Sequence, residues 1–410
     1  MQKRILTVCG GGNGAQALAA LAGSLNGWEV RIYAPWQDEA QMMQEGLRTN
    51  GGLETVGRYG GTKSTPAIIT NKPKEAAANS DLVMLVAPAF SHRPMLEELV
   101  PHLPDGVVIG AMPARSGFEY TAMDVLKKHN KKAVVCGLQT LPWACRIRGY
   151  GQKIELMGKK EAVGLAAVPA SAAPKLISMI QEVLGVKVYP IDNMLAVTLA
   201  NIGQVVHPGI MYGLFKGYQG ELYGEKDIPL FYQGMVPQIA AILTEVSMEI
   251  RNTALAINNQ YPQLAIQAVK GVEQWLKESY AHSIEDDSTL TRAFVTNRDY
   301  DGLKAPMRKE DAGYRPDFAN RYLVEDVPYG LVVTRAVADL AQVETPTIDE
   351  VITAAGRWIG KEYLLDGQLI GQHVSETRIP QNYGITTLEQ LVNLTVSGDI
   401  RGNVHLVDAK

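Results

Sequence analysis

The segment "KRILTVCGGGNGAQALAALAGSL" (residues 3–25) decides the fold of the first half of this chain. Its opening run, "KRILTVCG" (3–10), is continuous in apolar and β-branched residues, which predicts a strand covered on both faces. The stretch "AQALAALAGSL" (15–25) is an Ala/Leu-rich helix signal. Between them, "CGGGNGA" (9–15) satisfies G-x-G-x-x-A through Gly10, Gly12 and Ala15. In a strand–turn–helix setting the first glycine permits the tight turn and the second lets backbone approach a ligand. The small third residue allows the helix to pack closely on the strand.

Such a loop places the unpaired N–H groups and the positive end of a helix against a pyrophosphate. The chain therefore reads as binding a dinucleotide, with Gly10, Gly12, Asn13, Gly14 and Ala15 on the cofactor and Pro88, at the end of "DLVMLVAP", beside it. The ribose-binding acid expected about twenty residues past the fingerprint is missing: "IYAPWQDEA" holds no Asp or Glu before Asp38. No Lys or Arg follows until Arg48, so a 2′-phosphate lacks a partner as well. The missing basic cluster favours NAD(H) and leaves NADP(H) open.

Further along, "WEVRIYA" (28–34), "DLVMLVAP" (81–88), "GVVIGA" (106–111) and "KAVVCGLQ" (132–139) repeat the buried-strand pattern, separated by helical stretches. This predicts right-handed β-α-β units and an N-terminal doubly wound, Rossmann-type parallel sheet. After about residue 190 the pattern changes to helical spacing: 192–215, 235–257, 263–280 and 347–364, the last opening on a Thr347/Glu350 capping-box spacing. The expected organisation is thus α/β: a dinucleotide-binding domain over 1–190 and a mostly α-helical substrate and catalytic domain over 191–410.

With 46% apolar and 20% charged residues the chain belongs among ordinary globular proteins. A formal charge of −4 gives no electrostatic case for nucleic acid or an acidic membrane as partner. No run approaches the 18–20 uninterrupted apolar residues of a membrane span. Three cysteines without C-x-x-C spacing fit neither a disulfide framework nor a zinc site. No histidine pair has metal-ligand spacing, so no metal is expected. These features suit a cytoplasmic protein, a monomer or homodimer, acting on small molecules.

Of seven histidines, His207 stands out in "NIGQVVHPG" (201–209), an apolar helix where Pro208 removes a backbone N–H. A buried histidine there either finds a hydrogen-bond partner or exchanges protons near neutral pH. His92, in "AFSH" after the strand 81–88, is a second candidate near the cofactor. The segment "PDFANRYLVEDVPYG" (316–330) holds Arg321, Glu325 and Asp326. The spacing of Arg321 and Glu325 suits a helical ion pair. Alternatively Arg321 takes an anion, a substrate carboxylate or the cofactor pyrophosphate, and Asp326 orients His207.

The blocks "CGGGNGA", "LQTLPWACRI" (138–147), "VVHPGIMYG" (205–213), "LFYQG" (230–234), "DFANRYLVEDVPYG" (317–330), "GKEYLLDG" (360–367) and "TRIPQNYG" (377–384) together resemble the octopine/opine dehydrogenases over nearly the whole chain. The resemblance implies an NAD(P)H-dependent reductive condensation. An amino acid adds to a 2-oxo acid, typically pyruvate; water leaves to give an imine; and hydride reduces it to a secondary amine dicarboxylic acid. It places the catalytic histidine on His207, its acid partner on Asp326 and an arginine on Arg321. Trp275, in "EQWLKESY", falls near the amino-acid substrate, and Asn201 and Gln139 are expected to line the same substrate.

Octopine-forming members of the family carry a glutamate where this chain reads Gln139. A neutral amide suits a cationic arginine side chain less well, which points to a small or neutral amino donor such as alanine, glycine, β-alanine or taurine. Two other readings share these residues: a ketopantoate-reductase-like or 2-hydroxy-acid dehydrogenase with no amine substrate, and a non-catalytic dinucleotide sensor.

Overall fold

The computed structural model describes residues 2–266 and 269–399. The chain divides into two compact units, one formed by Met1–Val197 with the C-terminal segment from Glu389, the other by Thr198–Leu388. The division falls after Val197 rather than after residue 190. A side chain on Gly137 would meet the Met194 thioether, so the start of the next helix packs on the sheet of the first unit. The last described segment also joins the first unit instead of closing the second. Residues 400–410 of the expected second domain lie outside the described residues.

The first unit carries twelve strands among the described residues. They are β1 (Arg4–Cys9), β2 (Trp28–Tyr33), β3 (Leu53–Val56), β4 (Lys63–Ser64), β5 (Ile68–Thr70) and β6 (Leu82–Leu85), followed by β7 (Val107–Ala111), β8 (Ala133–Leu138), β9 (Trp143–Gly149), β10 (Lys153–Lys159), β11 (Ala162–Val168) and β12 (Lys187–Pro190). Eight form one sheet in the order β12-β11-β8-β7-β6-β1-β2-β5. From β5 to β8 all neighbours are parallel, in the doubly wound arrangement expected; β11 departs by pairing antiparallel with β8. Strand order reverses between β1 and β6, the position at which such sheets open a crevice at the carboxyl ends of their strands.

Helices α1 (Asn13–Gly23), α2 (Glu39–Asn50), α3 (Pro73–Ala77), α4 (Ala89–Leu99), α5 (Phe118–Lys128) and α6 (Ala173–Leu184) connect these strands. Helix α1 starts two residues earlier than its apolar pattern, because Gly12 already serves as its N-cap. A smaller sheet, β4-β3-β10-β9, is a feature the sequence patterns did not separate. Its strands are short, and β9 is mostly exposed or half-buried, so it lacks the continuous apolar run of a parallel core strand.

The apolar segment 192–215 is two helices, α7 (Met194–Leu199) and α8 (Ile202–Phe215), broken at Ala200–Asn201. Taken together, Met194–Phe215 has the length and mean hydropathy (1.3) of a membrane span, although Thr198, Asn201, Gln204 and His207 interrupt its apolar run. Its best window is 78% buried inside the protein, as in a core helix. There follow α9 (Pro237–Gln260), α10 (Val272–Ser279), α11 (Leu290–Val295), the hairpin β13–β14 (Met307–Glu310, Gly313–Pro316), α12 (Arg321–Val324), α13 (Val332–Leu340), α14 (Pro346–Ile359) and α15 (Leu388–Ser397). The hairpin interrupts a half that the sequence reads as helical. The expected helix over 263–280 shortens to α10; residues 267 and 268 of that stretch lie outside the described residues.

Helix α14 does not use the Thr347/Glu350 capping box. Thr345 is its N-cap and Pro346 its first residue, so Thr347 already lies inside the first turn. The orphan N–H groups of Thr347 and Ile348 donate instead to the buried Glu249 carboxylate of α9, at 2.8 and 2.9 Å. A charge-assisted cap supplied from another helix is invisible to local spacing.

Candidate active site

In the first unit the glycine loop fits a dinucleotide. Gly10 has φ +123°, and a Cβ there would stand 2.7 Å from the Val86 carbonyl oxygen, in the loop leaving β6. Only glycine holds that conformation and that closeness. A Cβ on Gly12 would meet nothing within 4 Å, so the loop faces open space at the residue where a pyrophosphate must approach. Gly14 packs against Val86 and Leu141, and Ala15 is buried against the core. No side chain caps the N-terminus of α1 and its first turn carries no acid, which leaves its N–H groups suited to an anion.

Pro88 is the N-cap of α4, beside that loop. Asn13 is engaged elsewhere: its side-chain oxygen accepts from the Ile147 N–H at 2.7 Å, tying α1 to β9. His92 lies inside α4 rather than in a loop, and it is fully buried. Its Nε2 is 2.9 Å from the Ala87 carbonyl and its ring packs edge-on against Phe118. Gln139 follows β8 at half-burial; its backbone N–H donates to Gly164, and its side-chain oxygen accepts from the Tyr189 hydroxyl at 3.3 Å.

In the second unit the structure joins His207 and Asp326, which are 119 residues apart. His207 Nδ1–H donates to Asp326 Oδ2 at 2.8 Å; the imidazole is 22% exposed and the carboxylate 2%. The other nitrogen, Nε2, faces the Tyr232 hydroxyl at 3.3 Å and accepts from it when neutral. Tyr322 stacks on the imidazole, with centroids 4.1 Å apart and an interplanar angle of 16°. Phe231 stacks in turn on Tyr322. The ring is therefore fixed in tautomer by one carboxylate and in orientation by aromatic faces, as proton transfer at Nε2 requires.

Local structure explains the convergence. Asp326 directly precedes a π-helical turn, Val327–Leu331, in which the Leu331 N–H donates to the Asp326 carbonyl, five residues back. Pro328 lies in this turn and cannot supply a ladder N–H. Adjacent buried carboxylates thereby serve different partners: Asp326 takes His207, while Glu325 takes both Nε (2.6 Å) and Nη2 of Arg321. The helical ion pair read from spacing is formed, and 57% of the Arg321 side chain is exposed beyond it. Asn201 is the N-cap residue of α8, ahead of His207 on the same helix.

Helix α8 is locked from two sides. Side chains on Gly209 and Gly213 would strike Leu243 and Ile239 of α9. On the other side, buried Gln204 donates to the Thr198 carbonyl and accepts from Thr334 at 2.7 Å. A Cβ on Gly330, in the π-turn, would lie 2.7 Å from Gln204 Cβ, so glycine there lets the Asp326 segment close on the His207 helix. Gly330→Ala is expected to destabilise the protein by about 1–3 kcal/mol through overpacking and to lower turnover by spreading the His207–Asp326 pair. A thermal melt and kcat both at wild-type values would contradict this packing role.

Trp275 is half-buried on α10 and reaches the centre through aromatic rings. It packs edge-on to Tyr280 (5.8 Å); Tyr280 contacts Tyr300 (5.0 Å), and Tyr300 stacks on Tyr232 (4.1 Å). The segment bearing Tyr232 is held by the Phe231 N–H on the Leu303 carbonyl (2.7 Å) and the Gln233 side chain on Asp301 (2.6 Å). Burial pushes the Tyr232 phenol well above its ordinary range, so it stays a neutral donor. Tyr232 and Tyr322 were not singled out from the sequence. Their signal was the aromatic content of "LFYQG" and "NRYLVED", which carries no direction until folded.

The family model for the α-helical domain of NAD/NADP octopine/nopaline dehydrogenases matches residues 190–359. Octopine dehydrogenase of Pecten maximus is 37% identical over 391 residues, covering 94% of this chain and 98% of that protein. A solved structure of octopine dehydrogenase with NADH and L-arginine superposes with a TM-score of 0.89 at 35% identity, covering 98% of this chain and all of that one. A structure of octopine dehydrogenase with NADH and pyruvate gives 0.87 at 34% identity, with the same coverage. The chain belongs to the octopine/opine dehydrogenase family and is an NAD(P)-dependent oxidoreductase of the kind acting on CH–NH donors.

Proposed function

We propose that this protein uses NADH to condense a small or neutral amino acid with pyruvate, forming a secondary amine dicarboxylic acid. The observation that carries the reading is the oriented His207–Asp326 pair, set in a chain that resembles octopine dehydrogenase along almost its full length. The glycine loop on β1 and the first turn of α1 would hold the dinucleotide, which supplies hydride. Arg321, anchored on Glu325 with its outer part exposed, suits a substrate carboxylate. His207 Nε2 accepts a proton from the amine as it adds to the carbonyl and returns one as water leaves. Asp326 stabilises the imidazolium formed between these steps. Trp275 and Asn201 line the amino-acid side in this reading, and Gln139 sets its charge.

The hydroxyl of Tyr232 occupies the direction in which Nε2 exchanges protons, so substrate competes with it for that nitrogen. A dehydrogenase acting without an amine would consume NADH with the oxo acid alone. The free thiols Cys9 and Cys136, both buried, and half-buried Cys145 suit a cytoplasmic enzyme, working as a monomer or homodimer.

The amino donor is tested with a panel of amino acids, pyruvate and either NADH or NADPH. Neutral donors are expected to give the highest kcat/KM, because Gln139 offers an amide, hydrogen-bonded to Tyr189, and no carboxylate. Arginine preferred by more than about tenfold, or 1.4 kcal/mol, would overturn the assignment of Gln139.

A further inference from the structure

We propose that Glu39 and Tyr150 form the adenosine-ribose subsite of the cofactor and make the protein select NADH over NADPH, an inference that rests on the dinucleotide reading of the glycine loop. The sequence lacks an acid at the end of β2, where one is expected. The fold supplies one from the first residue of α2 instead. A Cβ built on Gly11 would stand 2.7 Å from Glu39 Oε2 and 2.5 Å from the Tyr150 hydroxyl oxygen. Gly11, the middle glycine of "GGG", has no part in the G-x-G-x-x-A fingerprint. Its missing side chain is what admits the carboxylate and the phenol to the loop.

The placement is built rather than incidental. Gln16, fully buried in α1, donates to the Gly11 carbonyl at 2.9 Å and accepts from the Gly151 N–H at 3.0 Å, clamping the β9–β10 turn that bears Tyr150 to the glycine loop. A Cβ on Gly46 would fall 2.1 Å from the Tyr150 carbonyl oxygen, so α2 also lies directly against that turn. The Glu39 carboxylate is half-buried, and burial raises its pKa, so a donor brought by a ligand would relieve the cost of its desolvation.

A carboxylate only accepts hydrogen bonds, and its two oxygens match the two donors of a ribose diol. The 2′-phosphate of NADPH offers no diol and carries close to two negative charges, which a partly desolvated carboxylate repels. The first basic residue after β2, Arg48, is itself ion-paired to Glu45.

The test is a fluorescence titration of the full-length protein with NADH and NADPH, without amino acid or oxo acid. The wild type is expected to bind NADH at least about tenfold more tightly than NADPH. Glu39→Gln and Glu39→Ser are expected to weaken NADH by about 10- to 100-fold, the range of a hydrogen bond to a charged group, and to tighten NADPH. The serine variant keeps the result interpretable if the amide packs poorly beside Tyr150. Equal wild-type affinities for the two cofactors, or variants that keep the wild-type ratio, would overturn the assignment of Glu39 and leave the loop's dinucleotide role standing. Binding of neither cofactor by the wild type would overturn both.

Discussion

His207→Gln is expected to fold, to bind NADH with near wild-type affinity and to lose turnover by about 10²–10⁴-fold, the range for a removed acid–base group. Glutamine has similar length and can still donate a hydrogen bond to Asp326, whose carboxylate is almost fully enclosed and cannot be left without a donor cheaply. The stack against Tyr322 loses its aromatic partner, which costs packing but leaves α8 held by Gln204, Gly209 and Gly213. An amide does not accept a proton near neutrality, so the loss falls on kcat and not on NADH affinity. Turnover within a few-fold of wild type would remove His207 from the mechanism.

Asp326→Asn is expected to cost about 10²-fold or more in kcat with NADH binding unchanged. The carboxylate now accepts from Nδ1–H and leaves the Nε2 lone pair outward, where Tyr232 meets it. An asparagine in the same space can turn its NH2 to Nδ1, which moves the ring proton to Nε2 and removes the outward base. It also withdraws the negative charge that stabilises the imidazolium. Glu325 cannot substitute, because it is committed to Arg321. If Asp326→Asn kept full kcat while Asp326→Ala lost it, Asp326 would act through packing and not through its charge.

The sequence was most legible where local pattern and global fold agree. The parallel core strands are dominated by apolar and β-branched residues, and β1, β2, β6, β7 and β8 all lie within a few residues of their predicted spans. The glycine loop was legible for the same reason, since the backbone at Gly10 and the burial of Ala15 leave few residue choices. Legibility failed where a distant group does the work. Glu249 caps α14 from about a hundred residues away, and no spacing rule reports it. The break between α7 and α8 falls at Ala200–Asn201, inside an otherwise uniform apolar segment.

The site divides in the same way. Composition and spacing made His207 odd and Arg321–Glu325 a plausible ion pair, but neither could bring His207 to Asp326. The residues alone left that pairing as one alternative and the family's blocks favoured it; the fold joins the two through the π-turn and the close approach at Gly330. Tyr232 and Tyr322 meet His207 from 25 and 115 residues away, so only the folded chain brings them to the imidazole. Glu39 opens α2 instead of ending β2, so spacing from the glycine fingerprint does not single it out.

The most direct test of opine formation is to identify the product formed from pyruvate and NADH with and without a neutral amino acid. NADH oxidation is predicted to require the amine, and mass spectrometry is predicted to find the secondary amine dicarboxylic acid in amounts equal to the NADH consumed. Oxidation of NADH by pyruvate alone, with the 2-hydroxy acid as product and no dependence on any amine, would contradict it.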